Sequence, residues 1–422
     1  MLIMTIVSSN LNWGKDYSRG IIAADGKGYY AYLPAIFIYN DMNFGFFDKI
    51  EGEKYYNKNL YYDYRAGSNG KVINKYYCGT ALAELPFFLI AHLSSYLLNY
   101  EMDGYSKLYP ILISIAALFY LLAGLLYLNS SLKAYNLDEW QRSLTLFAAV
   151  FGTHLFYYTV GEPGMSHIYS FAFISMFFYY SHQYFFSFQK KHILILAMIL
   201  GIITLIRPIN GMIVFILPFA AGNFNSLKKG LTTLLRYKLY LVYGFCAFLA
   251  IVSIQLTIYK ISTGSFFVYS YGEEGFNFLS PHIIDILFSY KKGLFLYTPL
   301  LLFSLTGGCF LWKSSPYEFY SWFGFFIIIT YVFSSWWMWY YGGSFSSRVY
   351  VEYISLFMVL LVISLKGIKL KLFNHLYILM IASLIIVCQI QTYQYRYYQI
   401  HWSDMTKEKY WEVFMRIDKL IK

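Results

Sequence analysis

Charge is what this chain has least of. Asp, Glu, Lys and Arg make up 13% of its residues, about half the share usual in a soluble domain. With 58% of the residues apolar and a mean hydropathy of +0.47, so few charges cannot solvate a globular surface. The composition predicts an all-α polytopic membrane protein. Cysteine is scarce as well. Cys246, Cys309 and Cys388 sit inside apolar runs and Cys78 stands alone in a polar segment, which excludes a disulfide framework or a cysteine metal cluster. Acidic side chains number 22 against 33 Lys and Arg, for a formal charge of +11. In a soluble chain that surplus would point to nucleic acid. Here the basic residues fall in short loops between apolar runs, where they set orientation, so no nucleic-acid partner is expected. No cleavable leader is expected from this stretch: residues 1–9 are apolar but carry no basic lead and no small-residue cleavage site. That stretch is too short to cross a bilayer, which takes about 20 residues. Either residues 10–13 complete a first helix at an interface, or the natural chain begins upstream; the second is the expectation.

Aromatics are abundant. The 46 Tyr and 39 Phe exceed what spanning helices need and predict interfacial helices and aromatic-lined cavities. Spans are expected at about 108–128, 143–160, 166–187, 193–206, 208–221, 239–258, 294–311, 317–334, 350–365 and 374–390. With a truncated first helix this gives about 10–11 crossings. Every second loop is basic: Lys133 and Arg142; Lys190 and Lys191; Lys228, Lys229, Arg236 and Lys238; Lys313; Lys366, Lys369 and Lys371. Those loops are assigned to the cytoplasm, and the alternate ones to the outer face. No repeat or linker interrupts the chain, so residues 1–258, with a first outer loop at 10–107, and residues 259–422 form one integral domain.

The side on which that first loop lies depends on 79–98, an apolar run carrying Glu84, Pro86 and His92. If 79–98 lies flat, the loop is external; if it spans, the loop is cytoplasmic. Nine Lys and Arg against seven Asp and Glu between residues 10 and 78 decide nothing. The external reading is preferred because Glu84 and Pro86 suit mid-bilayer poorly.

Within the loop, residues 19–40 place Asp25 ahead of Tyr29, Leu33, Ile36 and Phe37 at helical spacing, which reads as a short interfacial helix with its aromatic face in lipid. A carboxylate held there can deprotonate an acceptor hydroxyl; Asp-Gly-Lys-Gly is equally ordinary turn chemistry. Glu162 and His167 share the turn Gly161-Glu162-Pro163-Gly164-Met165-Ser166-His167, where they could bind a sugar, a phosphate or a metal, or simply close the turn. Arg207, in Leu205-Ile206-Arg207-Pro208-Ile209-Asn210, puts a cation and an amide at a proline break, suited to a lipid phosphate or to snorkelling. The run from Trp336 through Trp339 and Gly342-Gly343-Ser344 to Arg348 joins stacking surface to a cation. An aromatic belt explains its tryptophans but not its Gly-Gly-Ser and arginine. The 259–293 loop, with Glu273, Glu274, His282, Asp285, Lys291 and Lys292, reads as a lid or acceptor-contacting surface. The tail reads as a capped amphipathic helix with Trp411, Phe414, Ile417 and Ile421 in its apolar stripe.

This layout resembles the GT-C superfamily of integral-membrane glycosyltransferases, which includes protein O-mannosyltransferases and aminoarabinose transferases. The likeness rests on the acidic residue soon after the first helix, the Gly161-Glu162-Pro163 turn and the segment Gly201-Ile202-Ile203-Thr204-Leu205-Ile206-Arg207-Pro208, and covers roughly residues 1–258. It departs from the family in having Gly26 after Asp25, where a paired acidic motif is common. The resemblance implies a polyprenyl-phosphate sugar donor, a glycan, lipid or protein acceptor, and inverting transfer on the outer face of a bacterial inner membrane. It makes Asp25 the catalytic base, Glu162 the second cavity acid and Arg207 the cation at the leaving phosphate, with His167, Asn210, Trp339 and Arg348 as further substrate-binding candidates. No cofactor is required; a divalent cation is compatible. The rival readings are a flippase or transporter of a lipid-linked saccharide, and a glycan polymerase or ligase.

Overall fold

The computed structural model describes residues 1–14, 17–68, 70–135 and 137–419. The first part runs α1 (Leu2–Asn12), α2 (Asp25–Pro34), β1 (Arg65–Ser68), β2 (Lys71–Asn74), α3 (Gly79–Leu97), α4 (Leu108–Lys133), α5 (Glu139–Phe151), α6 (Leu155–Val160), α7 (Ser166–Ser187) and α8 (Lys190–Ile206). Then come α9 (Leu217–Ala221), α10 (Phe224–Arg236), α11 (Lys238–Thr263), α12 (Ile283–Phe288), α13 (Leu294–Tyr297), α14 (Pro299–Ser304), α15 (Thr306–Ser314), α16 (Pro316–Ser334), α17 (Ile354–Gly367), α18 (Lys371–Arg396) and α19 (Lys407–Val413). Among the described residues the one sheet is the β1–β2 hairpin, which pairs Arg65 with Asn74 and Ser68 with Lys71, and the rest of the regular structure is helical. Five helical stretches among the described residues are long and apolar enough to cross a membrane: α3, α4, α11, Arg348–Gly367 and α18.

Three expected spans are broken. Residues 143–160 form α5 and α6, parted at Gly152, where a Cβ would come within 2.4 Å of Leu300 as α14 packs in. Residues 294–311 form α13, α14 and α15, because Pro299 lacks an amide donor and starts a new helix. Residues 208–221 begin with a 3-10 segment, Pro208–Ile216, before α9.

Contacts define two ends of the bundle. At one, Asn12 donates to the Val160 carbonyl (2.6 Å), the loops after α11 and α16 join through Asn277 N–H and the Ser335 carbonyl (2.6 Å), and Phe345 packs on Tyr395 (5.3 Å). The first loop lies there as well, so we call this the loop face. At the other, basic face, Lys366 donates to the Tyr135 carbonyl (2.8 Å) and Lys229 covers Phe188. Both ends of α3 meet the loop face. Gly79 abuts the backbone of Leu205 and Ile206, and beyond its C-terminus the Gly104 and Asp103 carbonyls accept from Tyr30 and Tyr39. Its Glu84 is fully buried.

The first loop has a core of its own. Tyr30, Tyr32, Phe44, Phe47, Tyr64, Phe88 and Tyr109 are all buried, and tyrosine hydroxyls there find carbonyls, as Tyr32 does on Tyr76 (2.5 Å). This corrects the expected lipid-facing helix at 19–40: Tyr29 and Leu33 point into protein, and only Ile36 and Phe37 are exposed. The tail differs from its predicted stripe as well. Thr406 caps α19 by accepting from Lys409 N–H (3.3 Å), and the helix buries Tyr410 and Val413, with Trp411 and Ile417 exposed. Ile421 lies outside the described residues.

Candidate active site

The site begins with a strained residue. Ala24 holds φ 47° and ψ −133°, a costly conformation for a residue with a Cβ, immediately before Asp25 opens α2. Close backbone approach holds α2 against the bundle: a Cβ on Gly26 would stand 3.1 Å from the Gly164 carbonyl oxygen. A Cβ on Gly28 would stand 2.2 Å from the Tyr76 ring, so only glycine lets Tyr76 reach over α2. Asp25 Oδ1 accepts from the Tyr76 hydroxyl (2.7 Å), which itself accepts from Tyr62 (2.5 Å). Asp25 Oδ2 pairs with Arg348 Nη2 at 2.7 Å. Burial pushes this carboxyl upward, yet Arg348 and the Tyr76 hydrogen bond outweigh burial and hold it below the usual carboxylate range.

Arg348 opens a 3-10 segment, Arg348–Tyr353, so Glu352 follows it after one turn. Fully buried Glu352 accepts from Arg207 Nη1 (2.7 Å) and meets His167 Nδ1 at 3.0 Å through the same oxygen. A carboxylate paired with arginine only accepts, so His167 Nδ1 carries the proton. Asn210 extends the cluster, donating to Ser170 (3.2 Å) and accepting from Tyr353 (3.2 Å). Arg207 and Arg348 keep 18% and 14% of their side-chain surface, so each is pinned by a carboxylate yet still reachable.

Glu162 completes the acidic set. Its Oε1 accepts from Tyr157 (3.1 Å), while its Oε2 is covered and has no protein partner. Burial raises this carboxyl to about 7, against the pull of Arg348. Nearby Lys292 donates to the Ser344 carbonyl, and burial lowers it to about 7. Arg348 Nε, Ser347 Oγ and Ser166 Oγ are likewise buried without a hydrogen-bond partner. Such atoms are costly unless a polar ligand takes them up. The arrangement can thus offer two cations to an anion and two carboxylates of different basicity to hydroxyl groups.

Of the residues picked from sequence, Asp25, Arg348, Glu162, His167, Arg207 and Asn210 gather at the loop face. Trp339 is not part of the hydrogen-bonded cluster; it stacks on His282 at 5.7 Å. The 259–293 loop roofs the first loop, with Lys75 pairing Glu274 at 2.6 Å and Tyr271 edge-on to Tyr76. Sequence reasoning missed Glu352, Tyr76 and Tyr157. A lone acid inside the apolar run 350–365 was a usable signal for Glu352; nothing marks Tyr76 or Tyr157 among 46 tyrosines. Among the described residues no group of three or more His, Cys, Asp or Glu side chains is placed to hold a metal ion. No protein-family model matches the chain, and neither a curated protein nor a solved structure does.

Proposed function

We propose that the chain is a membrane glycosyltransferase that moves a sugar from a polyprenyl-phosphate donor to an acceptor hydroxyl at the loop face. In this reading the crossings are α4, α5 with α6, α7, α8, Pro208–Ala221, α11, α13 to α15, α16, Arg348–Gly367 and α18, with α1 as a truncated first helix and α3, itself long and apolar enough to span, lying along the loop face that both its ends meet. The alternation of basic loops makes the loop face the outer one, in a bacterial inner membrane.

The observation that carries the reading is the Asp25–Arg348 pair, a carboxylate and a reachable arginine with a second arginine on the same 3-10 turn's Glu352. Arg348, with Nε unengaged, takes the donor phosphate together with Arg207. Asp25 then loses its strongest partner and becomes more basic. The acceptor oxygen gives its proton to Asp25 and attacks the anomeric carbon from the side opposite the phosphate. The bond from that carbon to the phosphate oxygen breaks, and its electron pair leaves on the phosphate, where the two guanidinium groups stabilise it. Configuration inverts. Glu162, protonated or ionised near neutrality, hydrogen-bonds sugar hydroxyls.

The test is a mass-spectrometric profile of polyprenyl-linked sugars and surface glycans in cells lacking the protein, complemented with wild type or with Asp25→Asn at equal expression. The transferase reading requires that a polyprenyl-phosphate sugar accumulates, that a glycan loses one residue, and that Asp25→Asn fails to restore it. Full rescue by Asp25→Asn removes the base and moves the flippase and ligase readings ahead.

A further inference from the structure

A second feature of the described residues lies at the opposite end from the site. It is a groove of about 540 Å³ on the basic face, between α14 and the start of α18. Phe373, Leu376, Tyr377 and Met380 recur at helical spacing along α18 and form one wall, with Phe303 of α14 facing them. Tyr377 stacks on Phe303 at 4.4 Å and ties its hydroxyl to Thr306 (2.9 Å), so the wall is fixed by packing and presents carbon to the groove. Gly367 ends α17 beside it. A Cβ there would come within 2.2 Å of the Phe310 ring, so no side chain at 367 can fill the space.

The mouth is as telling as the wall. Lys369 is the charged residue among the lining side chains, and Lys371 follows it, both exposed, while no carboxylate lines the groove. Lys366 is already engaged on the Tyr135 carbonyl, which leaves Lys369 and Lys371 to hold a ligand's charge. Phe373 and Met380 remain exposed in the chain alone. An apolar trough with two ammonium groups at its interfacial end matches a lipid that carries acyl chains and a negative headgroup. A zwitterionic lipid fits the trough equally well but gains little from the lysines.

We infer that this groove is a binding site for one anionic diacyl phospholipid of the leaflet at the basic face, its acyl chain along α18 and its phosphate at Lys369 and Lys371. The site is separate from the Asp25 cluster and stands whether or not the transferase reading does.

The test is native mass spectrometry of the full-length protein released from nanodiscs of phosphatidylglycerol and phosphatidylethanolamine in equal amounts. Wild type is expected to keep a single phosphatidylglycerol adduct in preference to phosphatidylethanolamine. Lys369→Gln should lower that preference about fivefold, the weight of one basic residue near a lipid surface, and Lys369→Gln/Lys371→Gln should abolish it. Met380→Trp, which narrows the trough without touching charge, should reduce adducts of both lipids. Lys190→Gln, on another basic loop, is the control and should change nothing. Equal retention of the two lipids by wild type overturns the proposal, as does an undiminished preference in the double variant. Thermal melts in detergent identify any variant that lowers retention only by failing to fold.

Discussion

Removing the Arg348 guanidinium by Arg348→Met isolates what the central ion pair does. The change leaves Asp25 with the Tyr76 hydroxyl as its hydrogen-bond donor, in a place where the carboxylate keeps 19% of its surface. Breaking a buried pair from one side costs about 3–5 kcal/mol, because a charge is stranded. Partial exposure of both partners puts this pair at the low end, about 3 kcal/mol. Asp25→Asn added to Arg348→Met removes the stranded charge while keeping an acceptor for Tyr76, so the double variant should cost only about 1 kcal/mol, roughly one hydrogen bond. The double variant is therefore expected to be about 2 kcal/mol more stable than Arg348→Met alone and to melt above it.

The pH dependence supplies an independent reading of the same pair. In the wild type Asp25 sits below its ordinary value of 3.8, so its contribution to stability is complete above that value and is lost as pH falls through the lower folded value. In Arg348→Met, burial is left as the main influence and the carboxyl rises above 3.8. Stability attributable to Asp25 should then fall as pH rises from about 4 toward 6, a slope that wild type and the double variant lack. The assay is differential scanning fluorimetry in detergent at matched salt. Strict additivity of the two substitutions, or identical pH slopes for Arg348→Met and the double variant, refutes the argument that Arg348 is what keeps Asp25 ionised.

Turnover should depend on Glu162 near neutrality. With its carboxyl at about 7, a wild-type pH–rate profile should bend there, and Glu162→Gln should remove that bend; a bend that persists unchanged assigns it elsewhere. Asp25→Asn should lower transfer from a purified polyprenyl-phosphate donor about 10²–10⁴-fold, and retention of wild-type turnover rules Asp25 out as the base. Gly79→Ala forces a Cβ to within 2.2 Å of Ile206 N and should destabilise the protein by about 1–3 kcal/mol while weakening donor binding through displaced Arg207, read by melts and KM together. Glu352→Gln should lower the melting temperature more than Asp25→Asn, since Glu352 is fully buried and serves both Arg207 and His167; the reverse order contradicts the assigned roles.

What the sequence made legible follows from how each signal arises. Long apolar runs predict helices because any helix facing lipid or a helical core needs them, and 108–128, 239–258 and 374–390 each fall within one helix, α4, α11 and α18. Breaks at Pro299 and Gly152 were less legible, because whether a glycine or proline interrupts a helix depends on what packs against it. Asp25, Glu162, Arg207 and Arg348 stood out as charges at the edges of apolar segments, where charge is scarce. Their partnership did not, since no spacing rule links residues 323 positions apart. Tyr76 was hidden by abundance, and the first-loop core by a polar composition that conceals tyrosines burying rings while satisfying hydroxyls on carbonyls.

Those long separations also bear on how the site works. Asp25 reaches Arg348 across 323 positions, His167 reaches Glu352 across 185, and Arg207 reaches Glu352 across 145. Each pair joins a residue before position 258 to one after it, so the two parts of the chain hold no complete site separately, and closing the bundle assembles the cluster. A largely buried arginine is expensive without an anion. Asp25 and Glu352 supply that anion while the site holds no substrate, which keeps both guanidinium groups in place without a ligand. On the proposed reading, a phosphate that arrives at Arg348 would compete with Asp25 for the same donors, and the exchange would be reciprocal: whatever draws Arg348 away from Asp25 makes Asp25 a stronger base, and whatever protonates Asp25 frees Arg348 for an anion. On the proposed transferase reading, the carboxylate is thus kept weakly basic until the anion that needs a base beside it has bound, and the contact between Asp25 and Arg348 would set that order.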